Sequence, residues 1–165
     1  MKRAYSIKRA SIAATAAVGV LFVTFAFPAL AHDSEHHTAI PVDNVVFNPG
    51  PPTLPAGAEI AVLMGSPAEP GPFVIRLKFP AGYEIPPHRH PQEEHVTVLS
   101  GGFGMATGET HDRAAAPLLA AGSFVRIPVG EAHYAWTQEE TIVQLNGIGP
   151  FGVEYVDPMD DPRAQ

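Results

Sequence analysis

His88 and His90 stand two residues apart, Glu94 follows four residues later, and His133 comes far downstream. Imidazole nitrogens with a carboxylate oxygen make a mixed donor set suited to one divalent ion, Fe(II), Mn(II), Ni(II), Cu(II) or Zn(II). In an extended strand, side chains two apart point the same way, so His88 and His90 share one space. Glu94 has their parity, as do Val96 and Val98. The expectation is a single strand whose inner face carries His, His and Glu and then turns apolar, with Pro91 disturbing the pleat between them. Polar groups on an inner face need partners, because burying them unpaired is costly. A metal supplies one. His133 is expected on a second strand, entered through Pro128-Val129-Gly130, which a hairpin or barrel brings beside the first three. Four protein ligands on an octahedral ion leave two positions open for a substrate or O2. Glu93 and His95 have the opposite parity and are read as solvated outer-face residues. A slip of the pleat at Pro91 would instead bring one of them into the ligand place.

The elements that must position these residues are short. Alternating or apolar runs predict strands over 58–64, 73–79, 95–99, 103–106, 123–127, 133–136, 141–145 and 153–156. In the second of these, Phe73, Ile75, Leu77 and Phe79 lie on one face. Residues 107–121 read as a loop with one short helical turn. Residues 49–55 hold four prolines and read as an extended arm. Phe79, Val96, Val98, Phe103, Met105, Phe124 and Trp136 are assigned to the core or to a pocket lining. Gln144 and Asn146 are polar within an apolar strand, and either hydrogen-bond a ligand or face water. His111 and Asp112 are expected in a loop without a special role. The 18 prolines and 15 glycines suit short strands joined by turns rather than long helices. The fold class expected is all-β, in one domain.

The N-terminus reads differently. Lys2, Arg3, Lys8 and Arg9 precede an uncharged run from Ala10 to Ala31 that ends in Pro28 and Ala29-Leu30-Ala31. These are the three parts of a secretory signal peptide, with cleavage expected after Ala31. The competing reading is an uncleaved membrane anchor, since the run nearly reaches spanning length. The expected division is 1–31 signal peptide, 32–57 a partly flexible arm, 58–156 barrel and 157–165 a loose tail. Loss of the four basic residues takes the formal charge from −7 to −11. So acidic a chain carries no electrostatic footprint for nucleic acid and none for anionic membranes. The expected location is periplasmic or secreted. The chain has no cysteine, which excludes disulfides, thiolate ligands and Cys nucleophiles. His32, His36 and His37 form a His-rich start, read as a tail in preference to a copper site.

The spacing around the four candidate ligands also resembles a known family. Gly82, five residues, His88, one, His90, three, Glu94, six, Gly101 is similar to the first motif of the cupins. Gly122, five residues, Pro128, one, Gly130, two, His133 is similar to the second. The family usually places Asn where Thr137 stands, which bears on local hydrogen bonding and not on the ligand set. The match spans roughly residues 73–145. The resemblance implies a six- to eight-stranded antiparallel jelly-roll barrel with a metal near one mouth, held by His88, His90, Glu94 and His133, and a homodimer. It leaves dioxygenase, decarboxylase and isomerase chemistry on a small oxygenated substrate all open, with no catalytic residue assigned. A non-catalytic periplasmic protein that binds a small molecule or metal would use the same four ligands. A DNA-binding regulator is set aside, for the chain has neither a helical domain nor the charge for it.

Overall fold

A computed structural model describes residues 38–164. The expected signal peptide, its cleavage site and the His-rich start at His32, His36 and His37 lie outside the described residues. Eleven strands run in chain order: β1 (Asn48–Pro49), β2 (Glu59–Met64), β3 (Gly71–Phe79), β4 (Glu84–Arg89), β5 (Glu94–Ser100), β6 (Gly102–Thr107), β7 (Leu118–Ala120), β8 (Phe124–Ile127), β9 (His133–Thr137), β10 (Thr141–Gly149) and β11 (Glu154–Tyr155). They form two antiparallel sheets. The first has the order β1-β2-β3-β10-β5-β8 and the second β11-β4-β9-β6-β7. Among the described residues this is the all-β jelly-roll arrangement that the resemblance implies, with eleven strands in place of six to eight because the short β1, β7 and β11 extend the sheet edges.

The core lies between the sheets. Phe73, Ile75, Leu77 and Phe79 alternate inward from β3, opposite Val143 and Leu145 of β10 and Val96 and Val98 of β5. Ile85, Phe103, Met105 and Ala135 close on them from the second sheet. Each inward side chain is followed by an outward one, the period-two pattern of a strand with one buried face. Gln144 and Asn146 are outward residues of β10. Gln144 accepts a hydrogen bond from Arg76 and donates one to Asn146, so neither faces the interior.

Several expectations change on contact with the structure. The single strand expected through His88 and Glu94 is two strands in different sheets. β4 ends at Arg89, the chain turns at Pro91, and β5 starts at Glu94. Pro91 has no N–H to give a ladder, and a turn is where such a residue fits. β4 itself holds Pro86 and Pro87 and pairs with β9 through a register shift between Ile85 and His88. Phe124 is not core: it is 59% exposed and lies near His95 on the outer face. Trp136 is buried on the outer face of the second sheet. It lies across Gly104, its partner in register, beneath the Arg113 guanidinium. The segment after β6 supplies that cover, with turns over Asp112–Ala116 and then strand β7. Asp112 accepts the Tyr134 hydroxyl on its carbonyl, and His111 meets the Tyr134 ring edge-on. The tail is ordered into 3-10 turns over Pro158–Asp160 and Pro162–Ala164, tied back by Arg163 donating to the Val153 carbonyl.

Two glycine turns matter for the site. Gly101, at φ 75°, makes the tight β5–β6 turn, where a Cβ would strike the Glu140 carbonyl and Thr141. Gly130, at φ 72°, donates its N–H to the His90 carbonyl and accepts Arg89 on its own. That pair of bonds fastens the loop before His133 to the segment carrying His90.

Candidate metal centre

Four buried side chains converge from both sheets. His88 comes from the end of β4, His90 from the turn after it, Glu94 from the start of β5 and His133 from the start of β9. All are 6% exposed or less, and His133 is fully enclosed. His88 pairs with His133 in register across β4 and β9, which puts their ring centroids 4.2 Å apart. His90 lies 4.9 Å from the first and 5.1 Å from the second. One nitrogen from each of the three rings lies within 4.8 Å of the others. Glu94 Oε2 stands 3.4 Å from His90 Nε2 and 3.3 Å from His133 Nε2.

Each ring is turned by a backbone carbonyl. His88 Nδ1 donates to Pro86 O at 2.7 Å, His90 Nδ1 to Gly152 O at 2.6 Å and His133 Nδ1 to Glu131 O at 3.0 Å. A carbonyl oxygen only accepts, so each Nδ1 carries a proton, and in the neutral ring Nε2 then presents its lone pair. His90 Nε2, His133 Nε2 and Glu94 Oε2 are buried without a hydrogen-bond partner. Orphaned buried acceptors of this kind are costly and rare. A cation shared among them removes the cost. Ligands about 2.1 Å from one ion stand roughly 3.0 Å apart at right angles and roughly 3.4 Å apart in a tetrahedron. The separations of Glu94 from His90 and His133 fall in that range, and the three imidazoles group closely enough to share an ion, so the donors suit a metal in identity, with Glu94 placed beside two of the three rings.

The electrostatics agree. Burial pushes His88 down to about 3, helped by the neighbouring His133 and His90, against the Pro86 carbonyl. Its ring is therefore neutral at ordinary pH, as a ligand must be. Burial alone would raise the Glu94 carboxyl, but hydrogen bonding from His133 and His90, when their Nε2 atoms carry a proton in the absence of an ion, outweighs it and holds the group below the usual carboxylate range.

Glu93 and His95 face the other way. His95 Nε2 lies 2.7 Å from Glu93, which also pairs with Arg126 of β8. The outer-face reading of both therefore holds, and the parity of Glu94, Val96 and Val98 within β5 survives the loss of the longer strand. Thr137 fills the place of the expected Asn. Its hydroxyl donates to the Pro80 carbonyl at 2.6 Å and accepts the Tyr83 N–H at 3.1 Å. It thus fastens the end of β9 to the turn before β4.

One wall was not legible. Phe151 stacks on the His90 ring at 4.3 Å between centroids, and the next residue, Gly152, holds Nδ1 of that ring. A lone aromatic after a Gly-Pro pair carries no signal of such a role. The proline arm is the opposite wall. Tyr155 donates to Thr53 O at 2.8 Å, and Tyr83 donates to Pro55 O. Burial raises both phenols, Tyr155 to about 12. Between arm and sheets lies a cavity of about 350 Å3 with His88, His90 and Glu94 in its lining. Behind the cluster the barrel is nearly filled, with about 30 Å3 left among residues such as Phe79, Phe103 and Val143.

Comparison with known proteins follows this geometry. A search of curated sequences gives no match. Solved structures share the fold at low identity. The polyketide cyclase RemF from Streptomyces resistomycificus is 18% identical with a TM-score of 0.61, covering 77% of this chain and 90% of its own. A putative acetylacetone dioxygenase from Methylibium petroleiphilum is 19% identical with a TM-score of 0.59, covering 77% and 85%. An RmlC-like cupin from Shewanella frigidimarina is 17% identical with a TM-score of 0.53, covering 70% and 91%. The model of the ChrR cupin-like domain matches residues 35–152, most of the barrel and its arm, and on that match the chain belongs to the cupins, in the family of the ChrR cupin-like domain.

Proposed function

We propose that the chain is an exported metalloenzyme that holds one divalent ion on His88, His90, Glu94 and His133. It would act on a small oxygenated substrate by dioxygenase-, decarboxylase- or isomerase-type chemistry. The observation that carries this reading is the set of buried, unpartnered acceptor atoms on His90, His133 and Glu94, facing one point beside a cavity. When bound, the ion supplies Lewis acidity, or oxygen activation if it is iron. The chain's own residues do the rest. Three carbonyls fix the imidazoles so that no ring must turn when a ligand arrives. Phe151 and the proline arm wall the open side. Among the described residues, Glu94 supplies the one carboxylate in the cavity lining.

Two solved structures with the same fold are described as a putative acetylacetone dioxygenase and a polyketide cyclase, which is compatible with turnover here but does not select a reaction. Export is proposed from the positive, apolar and small-residue pattern of residues 1–31, and a homodimer from family resemblance. The test is reconstitution with each metal in turn. The expected result is product formed with one metal and abolished in His133→Ala. Iron directs the assay to oxygen consumption, manganese to decarboxylation of small acids and zinc to Lewis-acid reactions. Tight, redox-inert metal with no turnover in any assay would leave a binding protein instead.

A further inference from the structure

The cavity over the metal centre carries information about what enters it. Its lining is Ile75, Leu77, Ile85 and Leu145 from the sheets, and Leu54 and Phe151 among its outer walls. Thr53 and Ser66 are its polar side chains apart from His88, His90 and Glu94. Among the described lining residues there is no Lys and no Arg. Arg89 and Arg163, the nearest in sequence to His88 and Val153, are spent elsewhere, on Gly130 O and Glu109 and on Val153 O and Asp161. The Thr53 carbonyl is taken by Tyr155, so it offers little to a guest.

We propose that this cavity selects a compact molecule with one oxygen-bearing head and an uncharged apolar body, and rejects molecules that carry a second charge or several hydroxyls. This inference rests on the metal-centre reading for the head and on the cavity walls for the body. A negative head is matched by an ion on the four ligands. A second carboxylate farther out would meet Leu, Ile and Phe side chains and lose its hydration without a counter-charge. Each extra hydroxyl would likewise lose water hydrogen bonds that the walls cannot replace. A methylene placed on the same walls gains about 0.8 kcal/mol, close to fourfold in affinity. The volume, about 350 Å3, is at the small end for ligand pockets. At about 30 Å3 for each water-sized volume, it suits a guest of roughly ten to fifteen non-hydrogen atoms.

The experiment holds the head constant and varies the far end. Zinc-loaded protein is titrated by calorimetry with propanohydroxamic acid, hexanohydroxamic acid, 6-hydroxyhexanohydroxamic acid and adipic monohydroxamic acid. The expected order places hexanohydroxamic acid first, at least tenfold above the propano compound and at least tenfold above the adipic compound, with the hydroxy compound between. In parallel, metal-free protein labelled at Ile and Leu methyls is titrated with 1-hexanol and 1,6-hexanediol. Saturable shifts at Ile75, Leu77 and Leu145, at least fivefold tighter for hexanol, are expected. Equal or tighter binding of the adipic compound, or no gain with chain length, would overturn the proposal. So would hexanol leaving those methyls unmoved in the metal-free protein. Protein that binds hexanol as expected but holds no zinc would keep the cavity reading and remove the metal centre, so the two failures are told apart.

Discussion

Two clusters of the same residue types sit back to back at the start of β5. Inside, Glu94 meets His90 and His133 with atoms left unpartnered. Outside, Glu93 meets His95 and Arg126, and the three satisfy one another in contact with water. Glu93 and Glu94 are neighbours in the chain, yet one carboxylate is a third exposed and the other nearly enclosed. A strand turns successive side chains to opposite faces, and that rule alone sorts the pair. What separates a binding site from a surface ion pair is thus not composition but unmet demand. The outer carboxylate is held low by Arg126 first and His95 second. The inner one has no Arg or Lys beside it, only the His90 and His133 rings, whose Nδ1 atoms are spent on backbone carbonyls.

That contrast can be broken in several ways. The largest effect is expected from His90→Ala and His133→Ala, which should each reduce bound metal from about one equivalent to below about a tenth, whereas His95→Ala retains it. Elemental analysis on folded protein, checked by circular dichroism, reads this. Glu94→Gln keeps the shape but removes the charge, and should weaken metal affinity on the order of 100-fold in a competition titration. Glu93→Gln should leave it unchanged. Equal losses in the two variants would mean the faces are not distinct.

A third effect concerns pH. Folded His88 lies near 3 and an unfolded histidine near 6.5, so on acidification the unfolded chain takes up the proton first. Its contribution to stability is full above about pH 6.5 and is lost as pH falls from there towards 3. The melting temperature of metal-free protein should fall between pH 7 and 5, and His88→Gln should flatten that fall. Phe151→Ala uncovers one face of His90 and should lower metal affinity by only about tenfold or less. The smallest effect belongs outside: Arg126→Ala should leave melting temperature and metal content within error, as exposed ion pairs contribute little.

The sequence showed the fold class and the four clustered residues because period-two alternation and motif spacing are local. It did not show how His88 reaches Glu94. Pro91 was visible as a disturbance, but whether it bends one strand or separates two depends on which sheet each half joins. The same limit explains Trp136. Its apolar character predicts burial, and it is buried, but under the 107–117 segment on the far side of the sheet. Phe124 shares the parity of Arg126 and so faces out, which the register with β5 decides and its hydrophobicity does not. Phe151 and the proline arm enter the site through tertiary closure, for which no short-range pattern exists.

The most direct test of the account is metal content of the purified wild-type protein, beside His133→Ala and His95→Ala. About one equivalent of a single transition metal in wild type and His95→Ala, and none in His133→Ala, is the predicted result. A folded wild-type protein without metal, or His133→Ala that keeps its ion, would contradict it.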